Sequence, residues 1–204
     1  MKPHSEMAIY PEPIINGINV ALNEATLLGV EFVEEEEAIA VTFSPIALDE
    51  SGQIPEENRV QFIFKPIGKF IASYRLGDWN DRTAPVIEFE PNQILEKVKE
   101  FGGCPIYGRE FFDCKQESDY DWLNKLSFEY KSPNNHGYQH SIELFQAGAN
   151  MSIDIKFWFD EFELFTPKYE KIELQAFINN GKRGWDGIYD GTASDKFFIY
   201  PYKD

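Results

Sequence analysis

Cys104, Cys114, His136 and His140 are the residues that most readily suggest chemistry, because two thiolates and two imidazoles can close a tetrahedral zinc site. Their spacing opposes it. Nine residues separate the cysteines, where about two to four are usual. On an extended strand the Cα atoms of His136 and His140 would lie about 13 Å apart, and only a turn at Gly137 would bring them together. The plainer reading is two buried thiols and two ordinary polar histidines, and no metal or other cofactor is expected. If the chain reverses around Gly108-Arg109, Cys104 and Cys114 face each other across a hairpin, as thiols in a reducing compartment.

Other chemistries find less. There is no Gly-x-Ser-x-Gly elbow, and a Cys104 and His140 pair would have to be assembled by the fold. Gly102-Gly103 follows a helical stretch instead of opening one, and Gly181-Lys182 lacks the remainder of a phosphate-binding loop. Asp119-Tyr120-Asp121 could hold a divalent ion, but reads more simply as a polar helix start. With no assembled catalytic motif, the sequence reads as that of a non-enzymatic protein.

Two segments put Trp beside Asp: residues 77–84 and residues 184–193, both ending in Thr-Ala. An indole offers a stacking face, and flanking polar groups add directional hydrogen bonds. Asp78, Trp79, Asp81, Arg82, Trp185 and Asp186 are therefore the candidate ligand-binding residues, suited to a sugar or a peptide. Two carboxylates facing each other in such a site would make glycoside hydrolysis conceivable. The plainer reading folds each Trp over an end of the core and uses its polar neighbours for turns. The resemblance between the segments also hints at an internal duplication, on few matching positions.

Charge gives the last candidate. The chain has 19 basic and 35 acidic residues, for a net charge of −16. Such a field repels phosphate backbones and anionic lipid, so neither direct nucleic-acid binding nor membrane association is expected. Residues 31–57 hold nine acids and no base. Within them Glu34, Glu35, Glu36 and Glu37 form the candidate surface for a basic protein partner, against the plainer reading of a solvated face.

The elements that must position these groups read mostly as strands. At 204 residues, 43% hydrophobic and 16% aromatic, the chain is expected to form one domain over 1–204 with a packed interior. Apolar residues alternate at Ile18, Val20 and Leu22, then at Leu28, Val30 and Phe32, and again at Ile39, Val41 and Phe43, with the glutamates at a hairpin tip between the last two sets. Val60, Phe62 and Phe64 lead through Lys65-Pro66-Ile67-Gly68 into Phe70, Ala72 and Tyr74, which predicts a second hairpin with Pro and Gly in its turn. Pro91, Gly102 and the stripe of Ile94, Leu95, Val98 and Phe101 predict one amphipathic helix over about 91–101. Further strands are expected at 86–89, 126–130, 141–145, 153–159, 162–165, 172–178 and 197–202, with a bulge or tight turn at Asp160-Glu161 where the apolar phase slips. About eleven antiparallel strands with one short helix predict a β-sandwich or open barrel.

No stretch approaches the roughly 18 apolar residues of a membrane span, and no apolar run follows the first residues. A cytoplasmic location follows as the expectation. The leading functional reading is an interaction protein, inhibitor-like or immunity-like, whose acidic face docks a basic partner. The alternative is a small-ligand or carbohydrate-binding β domain that uses the two Trp-Asp segments.

Overall fold

The computed structural model describes residues 10–114 and 124–197. Its described strands number seven and form one antiparallel sheet: β1 (Thr26–Val33), β2 (Ala38–Ser44), β3 (Val60–Leu76), β4 (Phe128–Lys131), β5 (His140–Ala147), β6 (Met151–Phe165) and β7 (Lys171–Ile172). The order is β1-β2-β3-β6-β5, with β4 beside β3 and β7 beside β6. The mainly β character is as expected. The eleven strands and the sandwich are not: among the described residues helices, and no second sheet, cover the apolar face, the sheet does not close, and the strand expected at 197–202 lies outside those residues beyond Phe197. The irregular segment 104–113 bonds to both edges of the sheet: the Leu27 N–H of β1 donates to the Cys104 carbonyl (3.3 Å) and the Glu143 N–H of β5 to the Phe111 carbonyl (2.8 Å).

Two long helices stand where strands and a loop are predicted. Helix α1 (Glu12–Leu22) begins after Pro11, with Pro13 and Glu12 in its first turn, where a fixed φ and a negative charge both favour the helix start. Its buried positions Ile18, Ala21 and Leu22, together with half-buried Ile14 and Ile15, follow helical spacing, and the apparent alternation fails because Val20 is exposed. Helix α3 (Leu174–Tyr189) hides behind Gly181, Gly184 and Gly187, poor helix formers that usually mark loops. Contact explains two of them. A Cβ on Gly181 would lie 2.5 Å from the Cβ of Ala21, and one on Gly184 would lie 2.5 Å from the Ile46 carbonyl oxygen. The predicted 91–101 helix is present as a 3₁₀ turn (Pro91–Gln93) running into α2 (Ile94–Lys99), with Ile94, Val98 and Phe101 buried. A last short helix, α4, spans Ser194–Phe197.

The predicted hairpin at 65–68 is also corrected. β3 runs through it, pairing with β2 over Val60–Phe64 and with β4 over Lys69–Ala72, while β6 follows its other side. Pro66 lacks a ladder donor, and it sits in the interval between β2 and β4. Loops complete the pairing there: Ile67 N–H donates to the Glu37 carbonyl (2.7 Å) and Gly68 N–H to the Gly137 carbonyl (3.1 Å). The phase slip at Asp160-Glu161 lies opposite this irregularity of β3, and β6 continues through it as one strand.

The core lies between the inner face of the sheet and the helices. Phe62, Phe64, Phe70, Phe157 and Phe159 are fully enclosed there with Ile18 and Leu22 of α1, and Phe177 of α3 meets Phe62 edge-on at 5.2 Å.

Candidate functional site

The β1–β2 register pairs Val33 with Ala38, so Glu34–Glu36 form the hairpin tip as a 3₁₀ turn. All three side chains are exposed, and among the described residues none is in an ion pair. Glu37 differs. Its backbone adopts a positive φ of 46°, and its Oε1 accepts from Ser132 Oγ (2.8 Å) and Asn134 Nδ2 (2.9 Å). His136 Nε2 lies 3.4 Å from the other oxygen. Glu37 therefore anchors the tip to the 132–136 loop instead of standing with its three neighbours.

The acidic run is not one surface. Asp49 and Glu57 follow the far end of β2, roughly 24 Å of strand from the tip. Asp49 caps a turn and accepts from Ser51 and Gln53. These bonds, the Ser51 hydroxyl first, hold its carboxyl below the ordinary range. Glu57 is clamped by Arg59, whose side-chain hydrogen bonds draw the carboxyl down to about 2.

In the 77–84 segment, Asp81 Oδ1 accepts from the Thr83 N–H and hydroxyl, both at 2.7 Å. Its carboxylate is engaged in shaping the turn. Gly77 N–H donates to the Asn150 carbonyl (2.8 Å) and Lys125 donates to the Arg82 carbonyl, tying the loop at both ends. Trp79 is held outward, 63% exposed. Its ring centroid is 6.3 Å from Phe145 of β5, and Tyr107 lies 6.5 Å from the same Phe145 ring. Asp78 and Arg82 are exposed beside it.

Trp185 and Asp186 lie on α3 and not in a loop, which also removes the suggested duplication. Asp186 pairs with Lys182 one helical turn earlier, at 2.6 Å. Trp185 is only 8% exposed; among the described residues its enclosed indole N–H has no acceptor, and Tyr189 tilts against it at 5.7 Å. It lines a groove of about 330 Å³ between α1, α3 and Arg109-Glu110, and Trp79 is not part of that groove. The six candidate ligand residues thus divide between two surfaces.

The four Cys and His candidates are dispersed. Cys104 and Cys114 are free thiols at opposite ends of a segment that runs along β5 without reversing at Gly108-Arg109. The Cys104 carbonyl accepts from Gln146 Nε2. Burial, then the nearby Glu143 carboxylate, pushes the Cys114 thiol up to about 12. Among the described residues no group of three or more His, Cys, Asp or Glu side chains is placed to hold a metal ion. Asp119 and Asp121 lie outside the described residues.

Two polar constellations escape a reading of the sequence. His140 Nδ1 meets Asp113 Oδ2 at 2.6 Å, and Asp113 Oδ1 accepts the Ser141 N–H at 2.8 Å. Such a pair fixes the orientation of an imidazole. Tyr10, Phe112 and Phe159 surround this ring, which at 6% exposure is closed to substrate. On the outer face of the sheet, Arg75 of β3 pairs with Asp154 of β6, and Lys156 of β6 with Glu143 of β5. Burial holds the Asp154 carboxyl up at about 7 against the pull of Arg75. Lys69 and Lys156 lie over the Trp158 ring at 5.4 and 5.1 Å. The alternation of Ile153, Asp154, Ile155, Lys156 and Phe157 carries the signal for this ladder, but a polar phase ordinarily means solvent.

Among the described residues no helix is long and apolar enough to cross a membrane. No family model, no curated protein and no solved structure matches the chain.

Proposed function

We propose that this protein is a non-enzymatic, cytoplasmic interaction protein that docks a basic protein partner on the tip of the β1–β2 hairpin, in the manner of an inhibitor or immunity protein. The observation behind this reading is the trio Glu34, Glu35 and Glu36, exposed and without ion-pair partners among the described residues. Glu37 supports it from below, because its bonds to Ser132 and Asn134 hold the tip in place before any partner arrives. With a net charge of −16 the chain attracts cations at long range, and steering of this kind speeds encounter and weakens with salt. Two free cysteines fit a reducing compartment. The test is capture of a basic protein by the wild type and by the triple variant Glu34→Lys, Glu35→Lys, Glu36→Lys. Capture should disappear in the variant, and its association rate in the wild type should fall steeply between about 50 and 500 mM salt. Equal capture by both proteins would refute the reading.

A second reading is favoured by the exposure of Trp79: a small-ligand site, for carbohydrate, on the 77–84 loop with Asp78 and Arg82. Tyr107 and Phe145 extend its aromatic surface. Asp81 is already engaged with Thr83, and Asp186 with Lys182, which favours binding over hydrolysis. Trp79→Ala should abolish ligand binding on this loop and leave capture of the basic partner intact.

A further inference from the structure

We infer that the groove between α1 and α3 binds a neutral saccharide unit. The inference rests on the carbohydrate reading and adds to the Trp79 loop a second site, on the surface that Trp185 lines. Asn16 and Asn19, three residues apart on α1, and Asn23 at its C-terminal cap all line the groove. The central amide is already oriented. Asn19 is 8% exposed, and its Oδ1 accepts the backbone N–H groups of Phe111 and Phe112, both at 2.9 Å. With the carbonyl engaged, the amide N–H groups are what Asn19 offers to the groove, and among the described residues they have no acceptor. A donor fixed by two bonds elsewhere is preorganised for a ligand oxygen.

Part of the lining is aromatic. Tyr189 is 78% exposed, and its ring leans on Trp185 at 34°. It gives a flat apolar face that the C–H side of a sugar ring can cover while its hydroxyls reach the amides. Asn16 and Asn23 each carry both donor and acceptor, the same dual character as a hydroxyl. Arg109 and Glu110, one cationic and one anionic, both line the groove. The −16 net charge disfavours phosphorylated sugars and nucleotides. A volume of about 330 Å³ suits a single small ring compound and not a protein segment.

The test is saturation-transfer NMR with the methyl glycosides of glucose, galactose, mannose and N-acetylglucosamine, and with adenine and uracil as planar controls. It compares the full-length wild type with Tyr189→Ala, with the double variant Asn16→Ala, Asn23→Ala, and with Trp79→Ala. These side chains are exposed or half-buried, and circular dichroism melting checks that each variant folds. At least one glycoside should bind the wild type with a dissociation constant on the order of millimolar. That affinity should fall about tenfold in Tyr189→Ala and in the double variant, the size of one lost stacking or polar contact. Binding that is lost in Trp79→Ala but kept in Tyr189→Ala would overturn this location and leave the carbohydrate reading standing on the loop. Binding of a base but of no glycoside would overturn the ligand class. Absence of glycoside binding in every protein would refute both the location and the carbohydrate reading.

Discussion

Along β3 and β6 the inner face of the sheet buries rings, and Phe64 lies 5.0 Å from Phe157 and 4.6 Å from Phe159. Residues of the opposite phase in the same strands bury charge: Arg75 against Asp154, and Lys156 against Glu143 of β5. The two faces use different physics. Ring packing is non-directional and grows with the area removed from water, about 25 cal/mol per Å². A buried ion pair offsets a desolvation penalty and is favourable only in good geometry. The inner face therefore supplies most of the stability, while the outer face penalises misregistry, since a slip of one residue would carry these charges into the aromatic core.

That contrast can be broken in order of effect. Phe64→Ala removes a fully enclosed ring, and chemical denaturation should register a loss of about 3 to 5 kcal/mol. A loss below about 1 kcal/mol would mean that the inner face is not the main source of stability. Next, Asp154→Ala leaves the Arg75 guanidinium largely buried and unpaired, for a loss of about 3 kcal/mol. The double variant Arg75→Met, Asp154→Leu should recover most of that loss, because apolar replacement of a whole buried pair is often neutral or better. If the double variant is as unstable as the single one, the outer face stabilises the fold through the charges themselves.

The pH dependence sharpens the same point with a smaller effect. Burial raises the Asp154 carboxyl to about 7, so the folded chain holds this proton more tightly than the unfolded chain, where an aspartate titrates near about 4. Its stabilising contribution is complete below about pH 4 and is lost as the pH rises to about 7. The melting temperature of the wild type relative to Asp154→Asn should fall across that window and level off above it; a constant difference would rule out a buried carboxyl with a raised pKa. The smallest change is expected at the hairpin tip. Replacing Glu34, Glu35 and Glu36 by Lys should leave the melting temperature almost unmoved, because exposed side chains without partners contribute little.

Much of the sheet was legible because a strand with one apolar face advertises itself by alternation. The β1–β2 hairpin, the core phase of β5 and the helix near 91–101 follow directly from spacing. The two long helices were harder to read, since Ile18, Val20 and Leu22 satisfy both periods over so short a run, and the glycines of α3 resemble a loop until Ala21 and Ile46 are seen against them. The exposed tip of Glu34–Glu36 could be anticipated from charge alone, whereas the anchoring of Glu37 required the 132–136 loop to be brought alongside.

The order of residues by itself determined that the chain is acidic, aromatic-rich and mainly β, because composition and local periodicity act through neighbours in sequence. Only the tertiary structure decided that Trp79 is presented outward while Trp185 is packed beside α1, and that Asp113 meets His140 and Asp154 meets Arg75. Those contacts join residues far apart along the chain, and their geometry is set by how the strands and helices pack, which no local pattern encodes.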